Sequence, residues 1–307
     1  MRQYEQNHLH YGGNMDSVTH TLFGLTLYGA VDKSTMTKKE KRALLVTAIA
    51  GSQIPDIDVI SSWWDTAGRY QMWHRGVTHS LFMVPVWGAL IAVSVRALFR
   101  VRGWFWFLFA MLAVWIHNTS DIFNAWGTGY FEPFSSARLT LGTIPIVDVV
   151  FWLLMAAGLL FARLGRGRFP SHRVFRIVWV LMALHVIAQS VQGAVLVNSV
   201  NARFEQTALS ADFIPGMFTV VGKRDQEVQL LYGSVWSDLK LVASLESRED
   251  ADLEPLFAHN PRAKTLYEWS PFVVIVNDDE RLGLYDPRFY RNGESFLFEY
   301  VEKAGLR

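Results

Sequence analysis

The chain has 307 residues, 51% of them hydrophobic and only 19% charged, which excludes an intrinsically disordered protein. A formal net charge of +1, without an arginine- or lysine-rich arm, gives no bulk attraction to a polyanion, so no nucleic-acid partner is expected. With no cysteine there is no disulfide, thiolate nucleophile or cysteine-held metal, and any ion must be bound by nitrogen and oxygen.

Residues 1–14 are polar and read as a disordered leader, with Met15 as an alternative start. A membrane helical domain is expected over residues 15–199. It opens with two short apolar helices, 18–31 and 43–54, that are thin spans, a re-entrant pair or a core hairpin. Four longer spans centre on the uncharged runs 80–95, 103–120, 149–162 (extended upstream by 139–147) and 177–202. The expected fold class is therefore an all-α multispanning helix bundle of four to six membrane helices, followed by a small soluble α+β domain over residues 200–307.

Charge supports that division. Residues 1–199 hold 17 Lys/Arg and 10 Asp/Glu, whereas residues 200–307 hold 12 and 18. Segments 32–42, 96–102 and 163–176 carry 13 basic residues between them, against three in 55–79 and 118–143. Positive loops face the cytoplasm. The two poor loops and the C-terminal domain are accordingly expected on the extracytoplasmic side of the inner membrane. Beyond residue 200, two hairpins (217–221 with 228–232, and 272–276 with 281–285) and a strand at 295–301 are predicted, with a helix over 238–254.

Histidines and acids gather at the segment ends on the predicted outer side: Asp16 and His20, Asp56 and Asp58, His74 and His79, His117 and Asp121, then Asp148. His117 and Asp121, four apart on a helix, share one face. Asp56 and Asp58 follow Pro55 and are expected in extended chain, pointing the same way. His74 is expected on the loop through Gly76, with His79 capping the next helix. Helix capping accounts for any one of these residues, notably Asp16, Ser17 and Asp148. Convergence from separate segments near a bilayer, where ionisable groups are costly, points instead to a metal site. Imidazole and carboxylate suit Zn²⁺ and also Mn²⁺ or Fe²⁺, and more than four donors suggest two or more ions. His185 reads as a hydrogen-bonded packing residue, His8, His10 and His172 as solvent-facing, and Trp63, Trp64 and Trp73 as interfacial anchors. Ser80 beside His79 lacks a nucleophile elbow.

The stretches MDSVTHTLFG (15–24), GSQIPDID (51–58), HRGVTHS (74–80), HNTSDIFNAWGT (117–128), EPFSSARLTLG (132–142) and IPIVDVVFW (144–152) resemble the YdjM/YfhP-type family of bacterial inner-membrane proteins. Where that family often has Asp-Pro, this chain keeps the carboxylate in Asp148-Val149. The resemblance implies a metal-dependent hydrolase, distantly similar to the zinc-dependent phospholipase C and single-strand nuclease group. It implies His20, Asp56, His74, His79, His117 and Asp121 as metal ligands, with Asp58 and Asp148 as further ligands or supporting groups.

The expected activity is hydrolysis of a phosphoester, lipid or lipid-linked, by metal-activated water. Asp58 or Asp148 would take the proton and Arg75 or Arg138 would pair with phosphate. The alternative is a non-catalytic membrane protein with a structural metal and a partner-binding C-terminal domain. A transporter would place its ligands near the bilayer midplane rather than at helix ends.

Overall fold

The computed structural model describes residues 17–165 and 169–306; the expected leader, Asp16, His8 and His10 lie outside these residues. The helices are α1 (residues 17–30), α2 (Lys38–Gln53), α3 (Tyr70–Trp73), α4 (Met83–Phe99), α5 (Phe105–Ser120), α6 (Val149–Leu164), α7 (Ser171–Val200), α8 (Glu254–His259) and α9 (Pro261–Trp269). The chain folds into two compact units. The first takes the chain up to Ile57 with Arg75–Ala188, and the second takes Asp58–His74 with Gln189–Arg307. The division thus falls inside α7, upstream of the boundary at 199/200 drawn from composition.

In the first unit two apolar clusters hold the helices. Leu44 and Ala48 of α2, Val95 of α4 and Ala110, Ala113 and Val114 of α5 form one. Phe23 of α1, Phe151 and Met155 of α6, and Val178 and Met182 of α7 form the other. The small residues permit close approach. A Cβ on Gly51 would lie 2.6 Å from that of Ala113, so α2 and α5 nearly touch there. The outer faces are apolar as well, with Val93, Leu108, Leu153 and Leu184 all exposed, the pattern of helices that meet lipid.

Among the described residues, Lys38–Trp63 and Ser171–Arg203 are long and apolar enough to cross a membrane, with a third span if Tyr70–His79 and Met83–Phe99 count as one broken crossing. The expected count of four to six is not reached by length. Helices α5 and α6 have 16 residues each, about 24 Å, against the roughly 30 Å of a hydrocarbon core.

Helix α2 begins at Lys38, five residues before the expected start, because Thr37 and Glu40 form a reciprocal capping box. Four basic residues assigned to a loop therefore ride its first turns. At its other end the chain continues as a 3-10 helix, Ile54–Trp63, where extended backbone was expected. Pro55 lacks only an N–H at the junction and does not force the chain straight.

The second unit contains a four-stranded antiparallel sheet of β1 (Gln206–Ala211), β2 (Phe218–Arg224), β3 (Glu227–Ser234) and β4 (Ser237–Glu246), in that order. A three-stranded sheet follows the order β5 (Val274–Asn277), β6 (Arg281–Tyr285) and β9 (Phe298–Glu302), with β7 (Tyr290–Arg291) and β8 (Glu294–Ser295) as a small ribbon. Both predicted hairpins are present. The helix expected over 238–254 is instead β4, paired from Ser237↔Ser234 to Glu227↔Glu246. Ladder bonds to β3 outweigh a weak helical pattern, and the helix starts only at Glu254, where Pro255 occupies the first turn.

Candidate metal centre

Five predicted ligands, all in the first unit, converge: His20 from α1, Asp56 from the 3-10 extension of α2, His79 from a 3-10 turn at Val77–His79, His117 from the last turn of α5 and Asp121 just beyond it. His79 thus stands four residues ahead of α4 and does not cap it; that helix is preceded by Phe82. His117 Nε2 lies 3.1 Å from His79 Nε2, 3.4 Å from Asp56 Oδ1 and 3.6 Å from Asp121 Oδ2. His79 Nε2 is 3.2 Å from Asp56 Oδ1 and 3.5 Å from Asp121 Oδ2, while His20 Nε2 is 3.4 Å from Asp121 Oδ1.

These spacings fit a shared cation. Ligands about 2.05 Å from a tetrahedral ion stand about 3.3 Å from one another, within the range seen here. The tautomer argues the same way. His117 Nδ1 lies 2.8 Å from the Ser52 carbonyl, which can only accept, so Nδ1 carries the proton and the neutral ring turns the Nε2 lone pair toward His79 Nε2. Two imidazole nitrogens this close need a proton or a metal between them. Donor atoms of His20, Asp56 and His117, and again of His79, His117 and Asp121, lie within 4.8 Å of each other. The two sets share His117.

Each ligand is positioned by local chemistry. Gln53 Nε2 donates to the Ser17 carbonyl at 2.8 Å and to Thr21 Oγ1 at 3.0 Å, locking α1 to the end of α2 and setting His20. The His20 ring stacks on that of His117 with centroids 3.8 Å apart. The close approach at Gly51 brings the next carbonyl, that of Ser52, to His117. Thr78 Oγ1 is 3.0 Å from His79 Nδ1, so His79, like His117, is held from its far side, and Asn118 Nδ2 donates to the Ser80 carbonyl at 3.2 Å, bonding the residue after His117 to the residue after His79. The sequence reading did not identify Ser52, Gln53, Thr78 or Asn118 as supports. Thr78 and Asn118 were signalled only by adjacency to a proposed ligand, and Ser52 and Gln53 not at all.

The remaining candidates are placed differently. His74 Nδ1 pairs with Asp58 Oδ1 at 3.0 Å in the second unit. Asp58 follows Asp56 by two residues within the 3-10 helix, not in extended chain. Asp148 caps α6, accepting from Phe151 N at 2.9 Å through Oδ1, and its Oδ2 meets His185 Nε2 at 3.0 Å. Both of its oxygens are thereby engaged at the α6–α7 contact. Arg75, in left-handed backbone with φ 61° and only 2% exposed, brings Nε to 3.5 Å from Asp121 Oδ2. Its carbonyl accepts from Gly129 N at 2.6 Å, and Leu81 N donates to the Tyr130 carbonyl at 2.9 Å, so the 127–142 loop is bonded to the segment that carries Arg75 and His79. Arg138 Nη2 donates to the Gly127 carbonyl at 3.0 Å within that loop.

Compared with known proteins, residues 15–196 match the family described as "YdjM inner membrane protein". The chain belongs to the YdjM family. Its match takes in every helix that supplies a ligand to the centre. A Bacillus subtilis (strain 168) protein described as "Uncharacterized protein YfhP" is 34% identical over 142 residues, 44% of this chain and 42% of that protein. The chain thus matches under half of the relative's length. No solved structure matches. YdjM membership agrees with the apolar, outward-facing helices of the first unit.

Proposed function

We propose that the protein is a metal-dependent hydrolase of the inner membrane that cleaves a phosphoester, the substrate being a lipid or lipid-linked. The observation that carries this reading is the meeting of three imidazoles and two carboxylates from four separate segments at 3.1–3.6 Å, the edge lengths of a ligand shell. Zn²⁺ suits the donor set best; Mn²⁺ and Fe²⁺ are compatible, and two overlapping donor sets leave room for two ions. Such an ion supplies Lewis acidity and activated water at neutral pH. The protein's own groups do the rest. Arg75 holds positive charge beside Asp121, where it can orient a phosphoryl oxygen. Asp58, paired with His74, or Asp148, paired with His185, takes the proton. In this reading α4, α5 and α6 complete the crossings to the expected four or more, and the distribution of basic segments supports an outer-side location for the centre and for the C-terminal unit.

The near-complete burial of His20, His79, His117 and Asp121 favours a second reading, a structural ion in a closed site. Metal analysis of purified protein, His79→Ala and Asp121→Ala, with a screen of phosphomonoesters, phosphodiesters and phospholipids, separates the readings. The hydrolase reading expects near-stoichiometric metal in the wild type, loss in both variants, and turnover of at least one ester. Unchanged metal in both variants defeats the ligand assignment. Bound metal without turnover on any ester establishes the structural reading.

A further inference from the structure

We infer that the second unit inserts two of its turns into the interfacial layer of the bilayer, using Phe213, Ile214 and Trp236 as anchors. The turns between β1 and β2 (residues 212–217) and between β3 and β4 (residues 235–236) lie at one end of the four-stranded sheet, because Ala211 pairs with Phe218 and Phe218 with Gly233. That end is apolar and bare: Phe213 is 58%, Ile214 60% and Trp236 87% exposed. The opposite end, the β2–β3 turn, reads Arg224-Asp225-Gln226-Glu227 and is exposed as well. One end of the sheet is built for water and the other is not.

Position along α7 says what covers the apolar end. Gly216 N donates to Gln189 Oε1 at 2.9 Å, so the β1–β2 turn is tied to the helix at that residue. From Gln189 to Val200 the helix rises about 16 Å, and β1 returns about 17 Å alongside it. Leu196 and Val200 pack with Leu209, Ala211 and Phe218 over this stretch. From Ile177, where the basic segment ends, to Ala188 the helix carries His185 as its one ionisable side chain, and Gln189, Ser190 and Gln192 then open a polar stretch. Gln189 therefore stands where the membrane ends, and the turn bonded to it stands there too. Tryptophan and phenylalanine at that depth sit in the layer such side chains favour.

The chain has no cysteine, so single-cysteine variants can be labelled cleanly. Phe213→Cys, Trp236→Cys and, at the polar end, Gln226→Cys would each carry a nitroxide in the full-length protein, reconstituted in nanodiscs of phosphatidylethanolamine and phosphatidylglycerol. Relaxation by oxygen, which concentrates in lipid, is compared with relaxation by a water-soluble nickel chelate. The expected result is a severalfold higher oxygen-to-nickel ratio at 213 and 236 than at 226. Equal ratios at all three sites overturn the inference. So does low accessibility of 213 and 236 to both reagents, which would mean that protein covers them.

Discussion

Each unit buries a knot of charge, and the two knots are built on opposite plans. In the second unit Arg288 clasps Asp286, with Nη2 2.6 Å from Oδ2 and Nε 3.1 Å from Oδ1, while Arg288 N donates to Oδ1 at 2.8 Å. Ser270 Oγ adds a short hydrogen bond to the same carboxylate. One cation meets one anion at direct bonding distance, and the guanidinium also lies over Trp269, 5.0 Å from the ring centroid. The first unit gathers three imidazoles, two carboxylates and a guanidinium whose mutual distances mostly exceed those of good hydrogen bonds. The first arrangement is complete in itself. The second has the spacing of ligand atoms about a shared ion. Burial of charge alone therefore does not identify a functional site; the spacing does.

The largest test of this contrast is to break the closed pair. Asp286→Ala leaves Arg288 buried without its carboxylate, and the expected cost is about 3–5 kcal/mol of stability, read by thermal unfolding in detergent. Metal content should not move. Coincident loss of metal would show that the two knots do not answer separately. Chelation is the converse perturbation. If metal is bound at about 100 times its dissociation constant, removing it should cost about 2.7 kcal/mol. The shift should persist in Asp286→Ala and vanish in Asp121→Ala. A chelator that leaves the melting temperature of the wild type unchanged would contradict the idea that the first knot is organised around an ion.

Much of this was legible in the sequence, for physical reasons that also mark where legibility ends. His117 and Asp121 could be placed together because four residues on a helix fix a shared face. His20 and His79 were found because titratable groups near apolar runs are costly. The backbone at Asp56 and Asp58 is a 3-10 helix and not the expected extended chain, because Pro55 permits both and only tertiary packing chooses between them. His74 was expected on the loop through Gly76, and its pairing with Asp58 is a contact that spacing alone could not show. The Ser52 carbonyl could not be seen at all, since every residue has one and only the approach of α2 to α5 selects it. In the C-terminal part, β4 was hidden because its partner strand, rather than its own pattern, decides its conformation.

The smallest expected effect tests whether α2 holds the centre as a rigid rod. Thr37 caps its first turn, while Ser52 and Asp56 act at and beyond its far end, on the order of 20 Å away. Thr37→Ala should cost about 1 kcal/mol through the lost cap. Because the sites share no partner, this cost should add to that of chelation within about 0.5 kcal/mol. Equal melting shifts for Thr37→Ala with and without metal would locate the organisation of the centre in its local contacts: Gln53 on α1, Ser52 on His117 and Thr78 on His79. A larger shift with metal present would mean that the capped helix as a whole sets the ligand spacing, making the helix start part of the site's support.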